Sequence, residues 1–192
     1  KMIAKADVLI HNFRPEVMGK NGLDYKTVQQ INPKMIYAEI SGYGKTGPWK
    51  DKPGQDLLLQ SMAGLAYTTG NGSNGPVPFG IAVTDILCGA QLVQGILAAL
   101  IRRQKTGAGA LIEVSLMESL LDFQFELLTT YFTNKEQPQR SNVANGQPLL
   151  SAPYGIYATA NGYIALAMMD IHLLAKAIGC TGLNRFSKAQ VF

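Results

Sequence analysis

The chain has 192 residues, with 17 Lys and Arg against 13 Asp and Glu, 47% hydrophobic side chains and 16% charged ones. This is ordinary globular composition, enough for one large domain or one domain plus part of another, and it excludes a low-complexity or collagen-like chain. The net charge of +4 comes from residues 1–52, which hold nine Lys and Arg and five Asp and Glu, while the remainder balances at eight of each. Basicity spread over loops and helix faces suits a small polyanionic ligand better than a nucleic-acid groove, though a solvated basic face fits it equally well.

Taken in order, Lys1–Lys5 reads as the tail of a helix, so the chain is expected to be part of a longer one. No signal peptide is expected, because no apolar h-region follows Lys1, and a cytoplasmic location is inferred. Residues 7–12 read as a short buried strand, 24–32 as a helix stopped by Asn32-Pro33, and 35–41 as a second strand. Strand, helix, strand at this spacing is a βαβ unit and predicts a parallel sheet with covering helices. Residues 42–54 form a Gly- and Pro-rich loop, 56–65 a helix, and 69–76 a flexible loop.

Ile86–Arg103 is a strong helix, with Ile86, Ala90, Val93, Leu97 and Leu100 on its predicted core face and Gly89, Gly95 and Ala99 permitting close packing. Its apolar run, Ile86–Ile101, contains Gln91 and Gln94 and falls short of the roughly 20 residues a bilayer requires, so a buried core helix is expected. Arg102, Arg103 and Lys105 suit the negative end of the helix dipole, and Gly107 can form a left-handed cap. A strand at 110–114 and a long amphipathic helix at 116–132 follow. Residues 134–150 resemble a linker, 154–167 a hairpin turning at Asn161-Gly162, and 172–178 a helix. Composition and spacing change after the linker, where a second domain is expected.

Several motifs are set aside. Gly107-Ala-Gly-Ala follows a helix and precedes a strand, the reverse of what phosphate binding requires. His11 and His172 have no ligand spacing, and no metal is expected. Cys88 and Cys180 lack CxxC or metal-ligand neighbours and read as reduced core thiols. There is no Gly-x-Ser-x-Gly or His-Glu-x-x-His, and the aromatic residues of 116–132 read as core or interface.

Asp85 is the only charged side chain between Asp56 and Arg102. A lone charge among apolar residues is costly unless compensated. It is either an N-cap of the helix that follows or a group kept for chemistry. Two further segments follow predicted strands, where open α/β sheets bind ligands: 12–23, and 40–48 with its continuation to Asp56.

Together these segments, ADVLIHNFRPEVMGKNGLDY, INPKMIYAEISGYGKTGPWKDKPGQD and PFGIAVTDILCGAQLVQGILAALIRRQKTGAGALIEVSLMES, resemble the class III CoA-transferases, the family of formyl-CoA transferase and crotonobetainyl-CoA:carnitine CoA-transferase. The similarity runs from Ala6 to about Leu121, with a weaker echo at SAPYGIYATANGYIALA. It implies an α/β fold with a Rossmann-like parallel sheet. Residues 1–115 would be part of the CoA-binding large domain, 116–145 a connecting helix and linker, and 146–192 the start of a smaller second domain.

The resemblance also implies that Asp85 is the nucleophile of a ping-pong reaction that moves CoA from an acyl-CoA to a carboxylic acid through aspartyl anhydride and aspartyl-CoA thioester intermediates. A carboxylate in dry, apolar surroundings is a stronger nucleophile, and the small Gly80 and Ala82 would leave room for a thioester. Asn12, Phe13, Arg14, Lys20, Lys52, Gln55 and Asp56 fall at positions expected to bind coenzyme A. Arg14 and Lys20 also fit as ordinary surface charges, and Asp56 as the cap of its own helix. A homodimer, interlocked in the family, is implied, with neither nucleic acid nor membrane as partner. Two alternatives stay open: an acyl-CoA racemase, disfavoured because Gln55 stands where racemases carry a basic histidine, and a non-catalytic CoA-binding or oligomerisation module.

Overall fold

The structure, a computed structural model, describes residues 1–140, 149–150, 153–167 and 170–186. Residues 141–148 of the expected linker, and with them the boundary expected at 145/146, therefore lie outside the described residues. The chain forms two compact units, residues 1–65 with 78–125, and 66–77 with 126–192.

In the first unit, β1 (Val8–His11), β2 (Ile36–Ser41) and β3 (Ala110–Ser115) form a parallel sheet in the order β1-β2-β3. Pairing runs in register from Val8↔Ile36 to His11↔Glu39, and from Ile36↔Ala110 to Ser41↔Ser115. The βαβ expectation is met. Between β1 and β2 lie α1 (Pro15–Lys20) and α2 (Tyr25–Ile31). The carboxylate of Asp24 caps α2, accepting from the Thr27 N–H at 3.1 Å and the Thr27 hydroxyl at 2.7 Å. Over Lys1–Lys5 the chain makes one turn, in which the N–H groups of Lys5 and Ala6 donate to Met2 O.

Between β2 and β3 lie α3 (Asp56–Met62), α4 (Leu65–Thr68) and α5 (Val83–Thr106). The helix expected over 56–65 thus breaks at Ala63-Gly64, where Gly64 takes φ +85°. As expected, α5 ends at Gly107 in the left-handed region, its N–H donating to Arg103 O at 2.8 Å.

The buried face of α5 differs from the predicted one. Cys88, Leu92, Ile96 and Ala99 are the core residues; of the predicted face Leu100 packs against them, while Ile86, Val93 and Leu97 are 53–60% exposed. Both stripes are apolar, so periodicity could not choose between them. The sheet chose: Ile36 and Ala38 of β2 and Ala110 of β3 pack on the Leu92–Ile96–Ala99 stripe. A Cβ on Gly95 would stand 2.7 Å from Ile112, so Gly95 permits the close approach, whereas Gly89 faces nothing within 4 Å. At 24 residues, with an 18-residue stretch of mean hydropathy 1.6, α5 is long and apolar enough to cross a bilayer, longer than its apolar run suggested. Here it instead packs one face on a parallel sheet.

Two helices replace the single one expected at 116–132: α6 (Leu116–Phe123) and α7 (Phe125–Asn134). The α6 helix packs on α5 within the first unit. Ser115 caps it: its Oγ accepts from the Glu118 N–H at 3.2 Å and donates to Glu118 Oε2 at 2.7 Å.

In the second unit, β4 (Gly155–Thr159) and β5 (Gly162–Leu166) form the expected antiparallel hairpin. Thr159 pairs with Gly162, so the two-residue turn is Ala160-Asn161, one position earlier than the Asn-Gly signal placed it. The helix α8 (Ile171–Ala177) follows, capped by Asp170, whose carboxylate accepts from the His172 N–H. Cys180 is exposed, not a core thiol; Cys88 is buried, and both are free.

Candidate functional site

The carboxyl ends of β1, β2 and β3 open into one cavity of about 660 Å³. Asn12, Phe13 and Arg14 line it after β1, Ser41 and Gly42 at the end of β2, and Leu116 after β3. The loop residues Lys50–Gln55 add two lysines and a carboxylate to the wall. Asp56 and Asp85 complete it, with Cys88 one helical turn beyond Asp85.

Backbone packing brings these loops together. Gly42 and Gly54 cross so closely that a Cβ on Gly54 would stand 2.5 Å from the Gly42 Cα. The loop is also tied down electrostatically. Glu39 and Glu113 are register neighbours on β2 and β3, and Lys45 Nζ bridges them, 2.7 Å from Glu113 and in contact with Glu39. Burial works against the Lys45 charge, but its hydrogen bonds to Glu113 and Glu39 outweigh this and raise its pKa. On the other side of Glu39 stands buried His11, 3.7 Å away. The Tyr37 hydroxyl donates to Leu23 O at 2.8 Å, so the His11 Nε2–H is the donor in their 2.9 Å contact. Burial lowers the His11 pKa, and it pushes that of Tyr37 up to about 12.

Asp85 is not an N-cap. Ala82 holds that position, and Asp85 lies inside the first turn of α5. The turn is capped from a distance. Asp56 Oδ2 accepts from the Thr84 N–H at 2.7 Å and the Asp85 N–H at 3.3 Å, although 28 residues separate Asp56 from Thr84. Asp56 therefore caps α5 and not its own helix, whose N-cap is Gln55. Nor is Asp85 solitary or dry within the described residues. It is exposed at the cavity rim, beside the Asp56 carboxylate, and its apolar sequence neighbours Ile81 and Ile86 point outward. Partial desolvation, and then Asp56, raise the Asp85 pKa.

Of the eight residues singled out in the sequence, Asn12, Phe13, Arg14, Lys52, Gln55, Asp56 and Asp85 line this one cavity. Lys20 does not. It closes α1 as an exposed residue. Sequence reasoning overlooked Glu16 and treated Cys88 only as a core thiol. The signal for Cys88 was its i+3 spacing from Asp85 on one helix. Lys45, which anchors the loop, was legible only as one lysine among several. Among the described residues no cluster of His, Cys, Asp and Glu is arranged to hold a metal ion.

A parallel sheet with paired carboxylates and basic loops gathered at its strand ends defines an α/β protein with a ligand site at the usual place for open sheets. The chain belongs to CoA-transferase family III, whose model matches residues 1–192. It is similar to the succinate–glutarate CoA-transferase of Agrobacterium fabrum, 37% identical over 172 residues that cover 88% of this chain and 41% of that protein. It is also similar to the acetyl-CoA:oxalate CoA-transferase of Acetobacter aceti, 34% identical over 90% of this chain and 44% of that one. The crystal structure of a CaiB/BaiF family protein from Brucella suis superposes with a TM-score of 0.85 at 32% identity, covering 98% of this chain and 49% of that chain. The chain thus spans about half the length of the relatives it matches. The family and the fold class read from the sequence are both borne out.

Proposed function

We propose that this protein transfers CoA from an acyl-CoA thioester to a carboxylic acid, with Asp85 as the covalent nucleophile. A carboxylate oxygen of Asp85 attacks the thioester carbonyl, the C–S bond breaks, and the sulfur leaves as the CoA thiolate, giving a mixed anhydride. The thiolate then attacks the Asp85 carbonyl and expels the donor acid as its carboxylate, leaving an aspartyl-CoA thioester. An acceptor carboxylate attacks that thioester, the thiolate returns to the acyl carbon of the new anhydride, and Asp85 is released as a carboxylate. Each step exchanges one acyl–heteroatom bond for another, with no net gain or loss of protons.

The observation that carries this reading is the place of Asp85. It stands at the rim of a cavity that joins all three strand ends, beside a second carboxylate, with its basicity raised. A more basic carboxylate is a better nucleophile, and basic residues on the cavity wall suit the phosphates of CoA. Asn12, Phe13, Arg14 and Lys52 are assigned to CoA binding.

Trapping tests the assignment. The full-length protein is incubated with an acyl-CoA, quenched with hydroxylamine or borohydride, and mapped by mass spectrometry. A hydroxamate or reduced side chain at Asp85 is the expected result. Exchange of the substrate's α-proton with solvent and no adduct would instead indicate a racemase. CoA binding with neither would leave a binding module.

A further inference from the structure

Residues 79–85 deliver Asp85 to the cavity, and two side chains one turn apart on α3 hydrogen-bond four of their backbone groups. Buried Gln60 accepts from the Phe79 N–H through Oε1 at 2.9 Å and donates through Nε2 to Ile81 O at 3.3 Å. The same Nε2 donates to Asp56 Oδ1, while Asp56 Oδ2 takes the N–H groups of Thr84 and Asp85. The segment between these anchors turns at Gly80, with φ +80°, a conformation that side-chain-bearing residues resist. Asp56 thus occupies the helix N–H groups that would otherwise be free to stabilise a nearby anion, and it adds a negative charge of its own.

We propose that Asp56 is a positioning residue: with Gln60 it clamps residues 79–85, and its fixed charge favours the step in which Asp85 passes its own charge to the departing thiolate. This rests on the reading of Asp85 as nucleophile. Before attack, two carboxylates face each other across the first turn of α5. Once the anhydride forms, Asp85 is neutral and the repulsion is gone. The charge has moved to sulfur, which leaves with the electron pair of the broken C–S bond. The raised pKa of Asp85 agrees with this arrangement. The titratable groups facing Asp85 are Asp56 from α3 and Cys88 from its own helix, and among the described residues no Lys or Arg forms an ion pair with either carboxylate.

The test is single-turnover release of CoA from acyl-CoA by the full-length protein, followed against pH, with the Asp85 adduct mapped in parallel. Asp56→Asn keeps an acceptor for the Thr84 N–H but loses the charge. It should slow CoA release at least ~10-fold with KM for acyl-CoA nearly unchanged, the pattern of an interaction felt in the chemical step. It should also move the acid limb of the rate profile to lower pH. Asp56→Glu, which retains the charge, should leave the acid limb in place even if its longer reach slows the reaction. Gln60→Met, a neutral exchange, should slow release without moving the limb. An acid limb unmoved in Asp56→Asn, or a rise in KM with kcat preserved, overturns the proposal. If the unaltered protein forms no adduct at Asp85, the nucleophile assignment fails and this inference falls with it. An adduct in the unaltered protein with normal kinetics in Asp56→Asn refutes the role of Asp56 alone.

Discussion

The cavity end of the first unit holds two pairs of carboxylates, and they are treated in opposite ways. Glu39 and Glu113, in register on adjacent strands, are neutralised by Lys45. Asp56 and Asp85 stand together with no lysine or arginine ion pair among the described residues, and Asp56 is satisfied by N–H groups alone. Like charges on neighbouring strands destabilise a sheet, so the first pair is balanced where the fold depends on it. The second pair is left unbalanced where a raised carboxyl pKa is of use. The difference separates charge that holds a loop from charge kept ready for reaction.

Substitutions can break that contrast, and the largest effect should come from the backbone both pairs depend on. Gly54→Ala would drive a Cβ to 2.5 Å from the Gly42 Cα, so the loop carrying Lys45 and the cavity wall must move. Overpacking at a backbone crossing should cost about 3 kcal/mol in urea unfolding and weaken CoA binding. A Gly54→Ala protein of unchanged stability would show that the crossing is not tight.

Next, Lys45→Met leaves Glu39 and Glu113 facing each other. Because the lysine and Glu113 are partly solvated, a loss of about 1–2 kcal/mol at neutral pH is expected, below that of breaking a fully buried pair. The sign with pH is fixed by the direction of the shift. The lysine pKa is raised in the fold, so its stabilisation is complete below the ordinary lysine value and is lost as pH rises through the folded one. The difference between the unaltered protein and Lys45→Met should therefore shrink above pH 10. A constant difference between pH 7 and pH 11 would argue that Lys45 acts by packing alone.

Ser115→Ala offers a neutral control at the end of β3. It removes the N-cap of α6 and should cost about 1 kcal/mol, independent of pH between 6 and 9. The smallest effect should come from Asp85→Asn, and its sign is opposite. A carboxyl whose pKa is raised in the fold contributes stability below the ordinary carboxylate value and loses it as pH rises through the folded value. The amide removes that loss, so the variant should be a few tenths of a kcal/mol more stable than the unaltered protein at pH 7, and no more stable at pH 3, the effect being small because Asp85 is largely solvated. Destabilisation at pH 7 would show that the Asp85 carboxylate is held by favourable contacts instead.

Much of this molecule was legible in its sequence. Three short apolar runs with helices between them announced the parallel sheet, and Asn12–Arg14 and Lys52–Asp56 could be placed at strand ends without coordinates, because a parallel strand puts the loop that follows it at the ligand-binding edge. The Gly107 stop and the hairpin were equally readable, since they depend on local backbone chemistry. What failed was nonlocal. Periodicity named an apolar face for α5 but not the buried one. Asp85 looked solitary because its charged neighbour is distant in sequence, and Lys20 could not be separated from the cavity lysines because spacing along α1 does not say where its end points.

By itself the sequence determined the strands, the kind of sheet and the family, all of which follow from patterns that act over a few residues or recur in relatives. Tertiary structure alone decided which carboxylates meet: that Lys45 would neutralise Glu39 and Glu113, and that Asp56 would cap a helix beginning far downstream and stand beside Asp85. Coulomb energy and hydrogen bonding depend on distance in space, and a linear chain does not carry that distance until the loops have closed.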